Sequence, residues 1–278
     1  KDLNSLTSSE KSMIEVISKN SEVWECFINT FDKIDQFELE DAILIINSIS
    51  FLFPYADDAN QETVSDSLII SFSDLLENPQ FIIPIFSLIS TFSKTSIYAR
   101  DSILCYGIHT LILNRLAMTD QSLGKDEEIN MECQIILDIY TNPGEIDCNI
   151  IFDSIDPIFS LINPNNIIQT KTAFYCLAIL INRKSCVADI LFGKNIYDIA
   201  ISCLDNPDLI VSSLQLINSL FHNVAKIDIP IVTNSLLPSL FKLLSNDECI
   251  SEIFRILSNL IEKIPRTIFD FLSDDFIH

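Results

Sequence analysis

Apolar positions in the second half of the chain recur at helical spacing, and the whole pattern returns about every 40 residues. Three eight-residue segments align without gaps, beginning at Ile155, Ile196 and Leu236, so the steps are 41 and 40 residues. One more step of 40 lands on Phe276. A fixed period of this length is typical of repeat proteins, whose units bury their apolar faces against neighbouring units.

Each unit is predicted to contain three helices. Short first helices are predicted over residues 147–152, 186–192, 228–232 and 266–272. Each leads through a turn of two or three residues into one of the aligned segments, which forms the second helix. Polar breaks follow at Asn163-Pro164, Asn206-Pro207 and Asn246-Asp247. We expect the Asn side chain at each break to cap the next helix.

The third helix of each unit is the longest, at about 169–182, 210–221 and 250–261. Its apolar residues form one stripe, which predicts a helix with one buried face. The stripe comprises Ala173, Cys176, Ile179 and Leu180 in the first unit, Ile210, Leu214, Ile217, Leu220 and Phe221 in the second, and Ile250, Phe254, Leu257, Leu260 and Ile261 in the third.

A period near 40 residues, with three helices per unit of which the first is short, resembles the armadillo repeat. The resemblance rests on Leu236-Leu-Pro-Ser-Leu-Phe-Lys-Leu-Leu-Ser-Asn-Asp247 as a second helix and on 250–261 as a third. It covers 147–278 well and 1–146 loosely. It implies an all-α fold, a right-handed superhelix of armadillo-like repeats with an irregular N-terminal part and a truncated last repeat. HEAT-like or other α-α superhelices share the period range and are the alternative.

Residues 1–146 are predicted to be helical but irregularly spaced. A capping box, Thr7-Ser-Ser-Glu10, opens a helix that ends near Ser18. Further helices are predicted at about 22–30, 38–53, 62–77, 79–92, 96–118 and 128–140. Segment 81–89 repeats the second-helix pattern but precedes its next match by 73 residues (82 to 155), which fits neither one unit nor two. The polar stretch 119–130 is predicted to be a mobile inserted loop.

The charge and glycine content of the chain disfavour some classes of ligand and fold. The formal net charge is −22, which argues against nucleic acid and against an anionic membrane surface. No Lys or Arg lies between Lys33 and Lys94, or between Lys125 and Lys171. These acidic stretches indicate either attraction of basic partners or simply the solubility of an apolar chain. With only four glycines, an all-β fold is disfavoured.

Catalytic and metal-binding patterns are missing from the sequence. It contains no glycine-rich phosphate loop and no nucleophile elbow, and the eight cysteines form no C-x-x-C motif, so we expect reduced core cysteines, no cofactor, no metal and no enzyme activity. A Cys105/His109 pair at i, i+4 could meet on one helix face. Adjacent carboxylates such as Asp57/Asp58, Glu127/Glu128 and Asp274/Asp275 are interpreted as solvated loop charge.

In armadillo proteins the third helices line a concave groove that binds extended peptides through asparagine side chains. The resemblance therefore implies a scaffold or adaptor for a partner polypeptide, and the acidity of the chain favours basic or apolar partners. The corresponding candidate residues are Lys171, Tyr175, Asn182, Gln215, Asn218, His222, Arg255, Asn259 and Glu262. The alternative is that these residues are only the solvent side of amphipathic helices.

Two departures from the family narrow this expectation. Importin-α-type adaptors pair groove asparagines with tryptophans, but the only tryptophan of this chain, Trp24, lies far from the repeats in sequence. Catenin-type grooves are basic, whereas this chain is acidic. The alternative functions are an atypical nuclear transport adaptor and the regulatory helical domain of a larger enzyme, since the chain is expected to be a fragment. The reduced cysteines and the absence of an Asn-x-Ser/Thr site predict the cytoplasm or the nucleus.

Overall fold

A computed structural model of the chain describes residues 7–118, 126–141, 144–163, 165–224 and 227–269. Every regular element within these ranges is helical, which confirms the all-α prediction. The chain divides into two compact units, Lys1–Ile146 and Asp147–His278. The boundary coincides with the start of the sequence repeat. Residues 119–125 of the predicted loop lie outside the described residues, and residues 126–130 are helical, so this part of the loop prediction was wrong.

The first unit contains nine helices among its described residues. They are α1 (Ser8–Ser18), α2 (Ser21–Phe31), α3 (Leu39–Leu52), α4 (Asp58–Leu68), α5 (Phe72–Leu75), α6 (Ile82–Thr95), α7 (Ile97–Cys105), α8 (Ile108–Met118) and α9 (Asp126–Thr141). The predicted capping box opens α1: the Thr7 hydroxyl accepts from the Glu10 N–H at 3.3 Å, and the Glu10 carboxylate accepts from the Thr7 N–H at 2.7 Å. Helix α6 packs against α3 and against α9.

The second unit is built from α10 (Cys148–Ser160), α11 (Ile167–Arg183), α12 (Cys186–Phe192), α13 (Ile196–Ser202), α14 (Ile210–Asn223), α15 (Ile229–Ile231), α16 (Leu237–Leu243) and α17 (Ile250–Lys263). Residues 265–269 are also helical. Helix α14 packs against α11 and against α17. The predicted third helices are therefore α11, α14 and α17, each slightly longer than expected.

The predicted turn between the first and second helices occurs in only one unit. Between α12 and α13 the chain turns through residues 193–195, with Asn195 in the left-handed region at φ 58°. In the preceding unit, α10 runs straight through and contains Pro157. In the following unit there is no turn either, because a π-helical segment, Val232–Leu236, joins α15 directly to α16. The three-helix division is therefore wrong for these two units.

The polar breaks are turns that precede the long helices. Asn163, Asn206 and Asn246 each accept, through Oδ1, the N–H two residues later, at 3.1, 3.1 and 3.2 Å. The helices begin four residues after each Asn, at Ile167, Ile210 and Ile250. The expectation that these three asparagines cap the helices directly was wrong. They form Asx turns, which reverse the chain direction just before each helix begins.

The same turn occurs once in the first unit and corrects the interpretation of segment 81–89. Asn78 accepts from the Gln80 N–H at 3.1 Å, and α6 begins four residues later at Ile82. Helix α6 thus corresponds to the long helices that follow the Asn turns, and not to a second helix. Helices α3 and α6 start 43 residues apart (39 and 82), and α6 packs against α3 and α9 as α14 packs against α11 and α17, so the first unit is more regular than its sequence predicted.

The buried stripes agree with the prediction on α14 but not on α17. All five predicted positions of α14 are buried, because this helix has long neighbours on two sides. On α17 the buried residues are Ile253, Ile256 and Leu260, whereas Phe254 and Ile261 are 58% and 41% exposed. Of the five predicted stripe positions of α17, Leu260 is buried, Ile250 and Leu257 are partly buried, and Phe254 and Ile261 are exposed.

The single helix predicted over 96–118 is interrupted at Gly107. Helix α7 ends at Cys105, Gly107 takes φ 71°, and α8 starts at Ile108. Cys105 is exposed, whereas His109 is 4% exposed and its Nε2 contacts the Thr110 hydroxyl at 3.1 Å. The break means that these two residues do not share one continuous helix, which removes the basis of the Cys105/His109 pairing.

Gly107→Ala is expected to lower the free energy of unfolding by about 1 kcal/mol, because a Cβ in the left-handed region is strained. No heavy atom lies within 4 Å of the added Cβ, so the backbone conformation alone causes the loss. Chemical denaturation measures it. Gly193→Ala is the matched control: Gly193 has φ −60°, and its added Cβ would meet Ile190 O at 3.4 Å. Equal losses in both variants would contradict the argument.

Candidate functional site

A groove of about 490 Å³ crosses the long helices of the second unit. Its nine lining residues come from α11, α14 and α17. They are Asn182, Asn218, Ser219, His222, Ser251, Phe254, Arg255, Ser258 and Asn259. On α14 the lining positions 218, 219 and 222 follow the i, i+1, i+4 spacing of one helix face, while Leu216, Ile217 and Leu220 are buried in the core.

Side-chain amides connect the helices along this groove. Asn182 Nδ2 donates to Ser219 Oγ at 3.1 Å, which joins α11 to α14. Asn259 Nδ2 donates to Asn218 Oδ1 at 2.8 Å, which joins α14 to α17. Asn223, at the end of α14, donates to Asn182 Oδ1 at 3.2 Å. Each long helix thus contributes an asparagine to a polar ladder.

The Asn218–Asn259 pair keeps hydrogen-bonding capacity for a further molecule. Within the described part of the chain, Asn218 Nδ2 and Asn259 Oδ1 have no partner, because the contact between the two residues uses only the opposite ends of their amides. An unused donor therefore lies beside an unused acceptor. A peptide group presents the complementary acceptor and donor.

The groove is not acidic, although the chain is. Arg255 and His222 line it, and no carboxylate is among the lining residues. Arg255 pairs with Glu252 on the same helix at 2.8 Å while its side chain stays 66% exposed. Lys263 Nζ donates to the carbonyl oxygens of His222 and Val224 at 3.0 and 2.9 Å, which ties the end of α14 to α17.

Five of the nine candidate residues predicted from the sequence lie together in the groove: Asn182, Asn218, His222, Arg255 and Asn259. The other four are not among its lining residues. Lys171 and Glu262 are exposed, and Gln215 and Tyr175 are partly buried. Burial raises the pKa of Tyr175 above its usual value.

Two further lining residues, Ser219 and Ser258, are polar positions that the sequence also placed on this side of the third helices, whereas Ser251 and Phe254 were missed. Phe254 was assigned to the buried stripe because it aligns with Leu214. The signal that it faces outward was available in its neighbours, since Ser251 and Ser258 lie three residues before it and four residues after it, on the same helix face.

Other potentially reactive groups are dispersed. Four cysteines (133, 176, 203 and 249) are buried and four (26, 105, 148 and 186) are exposed, so the prediction of core cysteines holds for only half of them. Burial raises the pKa of the Cys203 and Cys249 thiols. Among the described residues no group of three or more His, Cys, Asp or Glu side chains is placed to hold a metal ion.

Two of the carboxylate pairs have structural roles. Asp57 caps α4 by accepting from the Asn60 N–H at 3.0 Å, and Glu128 forms an ion pair with Arg115. Both were expected to be solvated loop charge: this is confirmed for Asp57, which is exposed and lies outside the helix, and wrong for Glu128, which is partly buried within α9. The Asp274/Asp275 pair lies outside the described residues.

In the part of the chain that the structure describes, no helix has both the length and the apolar character needed to span a bilayer.

Comparison with known proteins gives structural matches only. No protein-family model and no curated protein sequence matches the chain. Two crystal structures of engineered proteins from the Northeast Structural Genomics Consortium are similar in fold, each with 12% identity. One has a TM-score of 0.64 and the match covers 84% of this chain and 95% of that one. The other has a TM-score of 0.67, with 98% and 69% covered. The chain therefore has a helical repeat-like, all-α fold.

Proposed function

We propose that this chain is an armadillo-like interaction scaffold, with its long helices in a right-handed superhelical order, and that the groove binds an extended segment of a partner polypeptide. The observation that carries the proposal is the Asn218–Asn259 pair, which offers an unused amide donor beside an unused amide acceptor. The proposed role is non-enzymatic and requires no cofactor.

The geometry favours recognition of a peptide backbone. A side-chain amide can donate to a carbonyl and accept from an N–H of the same extended strand. Phe254, 58% exposed, supplies an apolar contact for one side chain of the segment. His222 and Arg255 provide donors at the groove wall.

A nucleic-acid ligand is disfavoured by the net charge of −22, since a phosphate backbone requires a basic surface. The groove itself has Arg255 and His222 but no lining carboxylate, so the partner segment is expected to be neutral or acidic where it contacts the groove. This changes the sequence-based expectation of a basic partner, which rested on the charge of the whole chain.

Affinity measurements on two variants test the proposal. The full chain is screened against a displayed library of short random peptides, and the affinity of the recovered peptides is measured by fluorescence anisotropy. The Asn218→Ala/Asn259→Ala double variant is expected to bind at least about tenfold more weakly, because it loses about two hydrogen bonds of 0.5–1.5 kcal/mol each.

The matched control is Asn149→Ala, which removes an exposed asparagine from the first turn of α10 in the same unit. Its affinity is expected to stay within about twofold of the unaltered chain. Recovery of no peptide, or equal affinities for the double variant and the control, would refute binding through the groove.

A further inference from the structure

A second concave site lies in the first unit and does not involve the groove. It is a pocket of about 320 Å³ between the end of α2, the 3₁₀ turn Ile34–Gln36, α5 and the start of α6. We name it the acidic pocket. Its volume is at the lower end of the range of about 300–1,000 Å³ that is common for ligand sites.

The floor of the acidic pocket is apolar and its rim is negatively charged. Phe31, Ile34, Leu75 and Phe81 line it and are between 1% and 9% exposed. Asp32, Asp35 and Asp74 also line it, and all three are exposed. The site is therefore an apolar depression bordered by three carboxylates from two separate segments of the chain.

The described residues provide no counter-charge for these carboxylates. None of the three makes an ion pair or a side-chain hydrogen bond within the described part of the chain. Lys33 is exposed, does not line the pocket and forms no ion pair with the described residues. No Lys or Arg occurs between Lys33 and Lys94, a stretch that includes every pocket residue except Phe31 and Asp32. The local field is therefore uncompensated.

Backbone dipoles add to the negative potential. Helix α2 ends at Phe31, and the helical run that begins with α4 ends with α5 at Leu75. Both terminal residues line the pocket. The C-terminus of a helix has a partial negative charge, so both ends favour a cation at this position.

We infer that the acidic pocket is a docking site for an arginine or lysine side chain of a partner polypeptide. The methylene stem lies on Phe31, Ile34, Leu75 and Phe81, and the cationic end is held among the three aspartates. Long cationic side chains bury their stems on apolar surface while their charged ends remain near water, which matches an apolar floor with an exposed acidic rim. A purely apolar side chain would leave the carboxylates without a partner.

The charge of the chain also favours a polypeptide over a free amino acid as the source of the cation. A net charge of −22 attracts a basic segment at long range. A basic segment carries several cationic side chains, whereas free arginine has a net charge of only +1, so the segment is attracted more strongly.

Nuclear magnetic resonance of the isotopically labelled full chain tests the inference. The probes are N-acetyl-arginine N′-methylamide, its lysine and norleucine counterparts, and free arginine. The arginine and lysine amides are expected to shift backbone signals within 31–36 and 71–81. The norleucine amide is expected to bind at least about tenfold more weakly, because it lacks the charge-assisted contacts, and free arginine is expected to bind no more tightly than the arginine amide.

The Asp35→Asn/Asp74→Asn variant is expected to weaken binding of both cationic amides at least about tenfold. Glu25→Gln/Glu62→Gln is the matched control. It makes the same change in net charge at two exposed carboxylates outside the pocket lining, and we expect less than about a twofold effect.

Three outcomes would overturn the inference: equal binding of the norleucine amide, tighter binding of free arginine than of its amide, or an equal loss in the control variant. Because the assay reads signals in the first unit, its result does not depend on whether the groove of the second unit binds a peptide.

Discussion

Arg100→Met is expected to lower the free energy of unfolding by about 3 kcal/mol, since it removes two charge-assisted hydrogen bonds to backbone carbonyl groups at about 1.5–3 kcal/mol each. The Arg100 side chain is 0% exposed. Its Nη1 donates to Gly144 O at 2.9 Å, its Nη2 donates to Glu145 O at 3.0 Å, and its Nε donates to Asp101 at 2.8 Å. Methionine fills much of the volume but supplies no donor.

Gly144→Ala is expected to lower the free energy of unfolding by a similar amount, because the added methyl group would displace the Arg100 guanidinium. A Cβ at this position would lie 2.2 Å from Arg100 Nη2 and 2.8 Å from Arg100 Cζ. The end of an arginine is usually free to move, but this guanidinium is buried and fixed by its contacts with Gly144, Glu145 and Asp101. Relief of the clash therefore breaks the same hydrogen bonds that Arg100→Met removes.

The two substitutions should consequently be strongly non-additive. In the Arg100→Met background, Gly144→Ala is expected to cost less than about 0.5 kcal/mol, because the guanidinium is gone. Urea denaturation followed by the fluorescence of Trp24, the only tryptophan, measures all four proteins. Arg266→Met, at an exposed position, serves as the control. Additive losses would show that the glycine and the arginine do not depend on each other.

Sequence periodicity predicted those parts of the fold in which a long amphipathic helix follows a polar break. Helices α11, α14 and α17 satisfy both conditions, and each was placed within two residues of its observed ends. The capping box at Thr7 and Glu10 was predicted for a similar reason, because both partners lie within one helical turn. Local interactions of this kind can be inferred from spacing alone.

The regularity of the first unit was hidden because its period differs from that of the second. Helices α3 and α6 start 43 residues apart, whereas the aligned segments of the second unit recur at 40 and 41. An alignment that starts from the shorter period assigns segment 81–89 to the wrong helix. The turn at Asn78 was the available signal, because it is the same as the turn before each long helix of the second unit.

The candidate site was partly predictable for the same reason. Asn218 and Asn259 lie on the polar side of successive helices, so their faces could be assigned from helical spacing. Their hydrogen bond, by contrast, depends on the relative rotation of α14 and α17, which packing determines. The contacts of Arg100 are similar: 44 residues separate it from Gly144, and no local pattern connects them.

The net charge of the chain predicted a basic partner but did not show which surface would bind it. The chain has a charge of −22, yet the groove has no lining carboxylate, while the acidic pocket has three. Charge is thus separated between two surfaces with different chemistry. An amide ladder suits a peptide backbone, and an acidic rim on an apolar floor suits a long cationic side chain.

Phe92→Ala is expected to lower the free energy of unfolding by about 4 kcal/mol, within the range of 3–5 kcal/mol for removal of a buried phenylalanine side chain. The Phe92 ring, on α6, stacks on Phe53 at 4.1 Å and contacts Phe72 with 6.0 Å between centroids. All three rings are 0% exposed. The substitution therefore opens a cavity where α6, α5 and the end of α3 meet, and neighbouring rings cannot fill it without leaving their own contacts.

Trp24 reports on this cluster directly, because its ring meets the edge of Phe53 at 6.4 Å. Urea denaturation with tryptophan fluorescence is again the measurement. Phe269→Ala, at a phenylalanine that is 60% exposed, is the matched control and is expected to cost less than about 0.5 kcal/mol. A double-mutant cycle with Phe53→Leu should give a coupling of about 0.5–1.5 kcal/mol, the value of an aromatic pair beyond its buried area. If Phe92→Ala costs no more than the control, this cluster does not hold α6 against α3, and the packing order of the first unit must depend on other contacts.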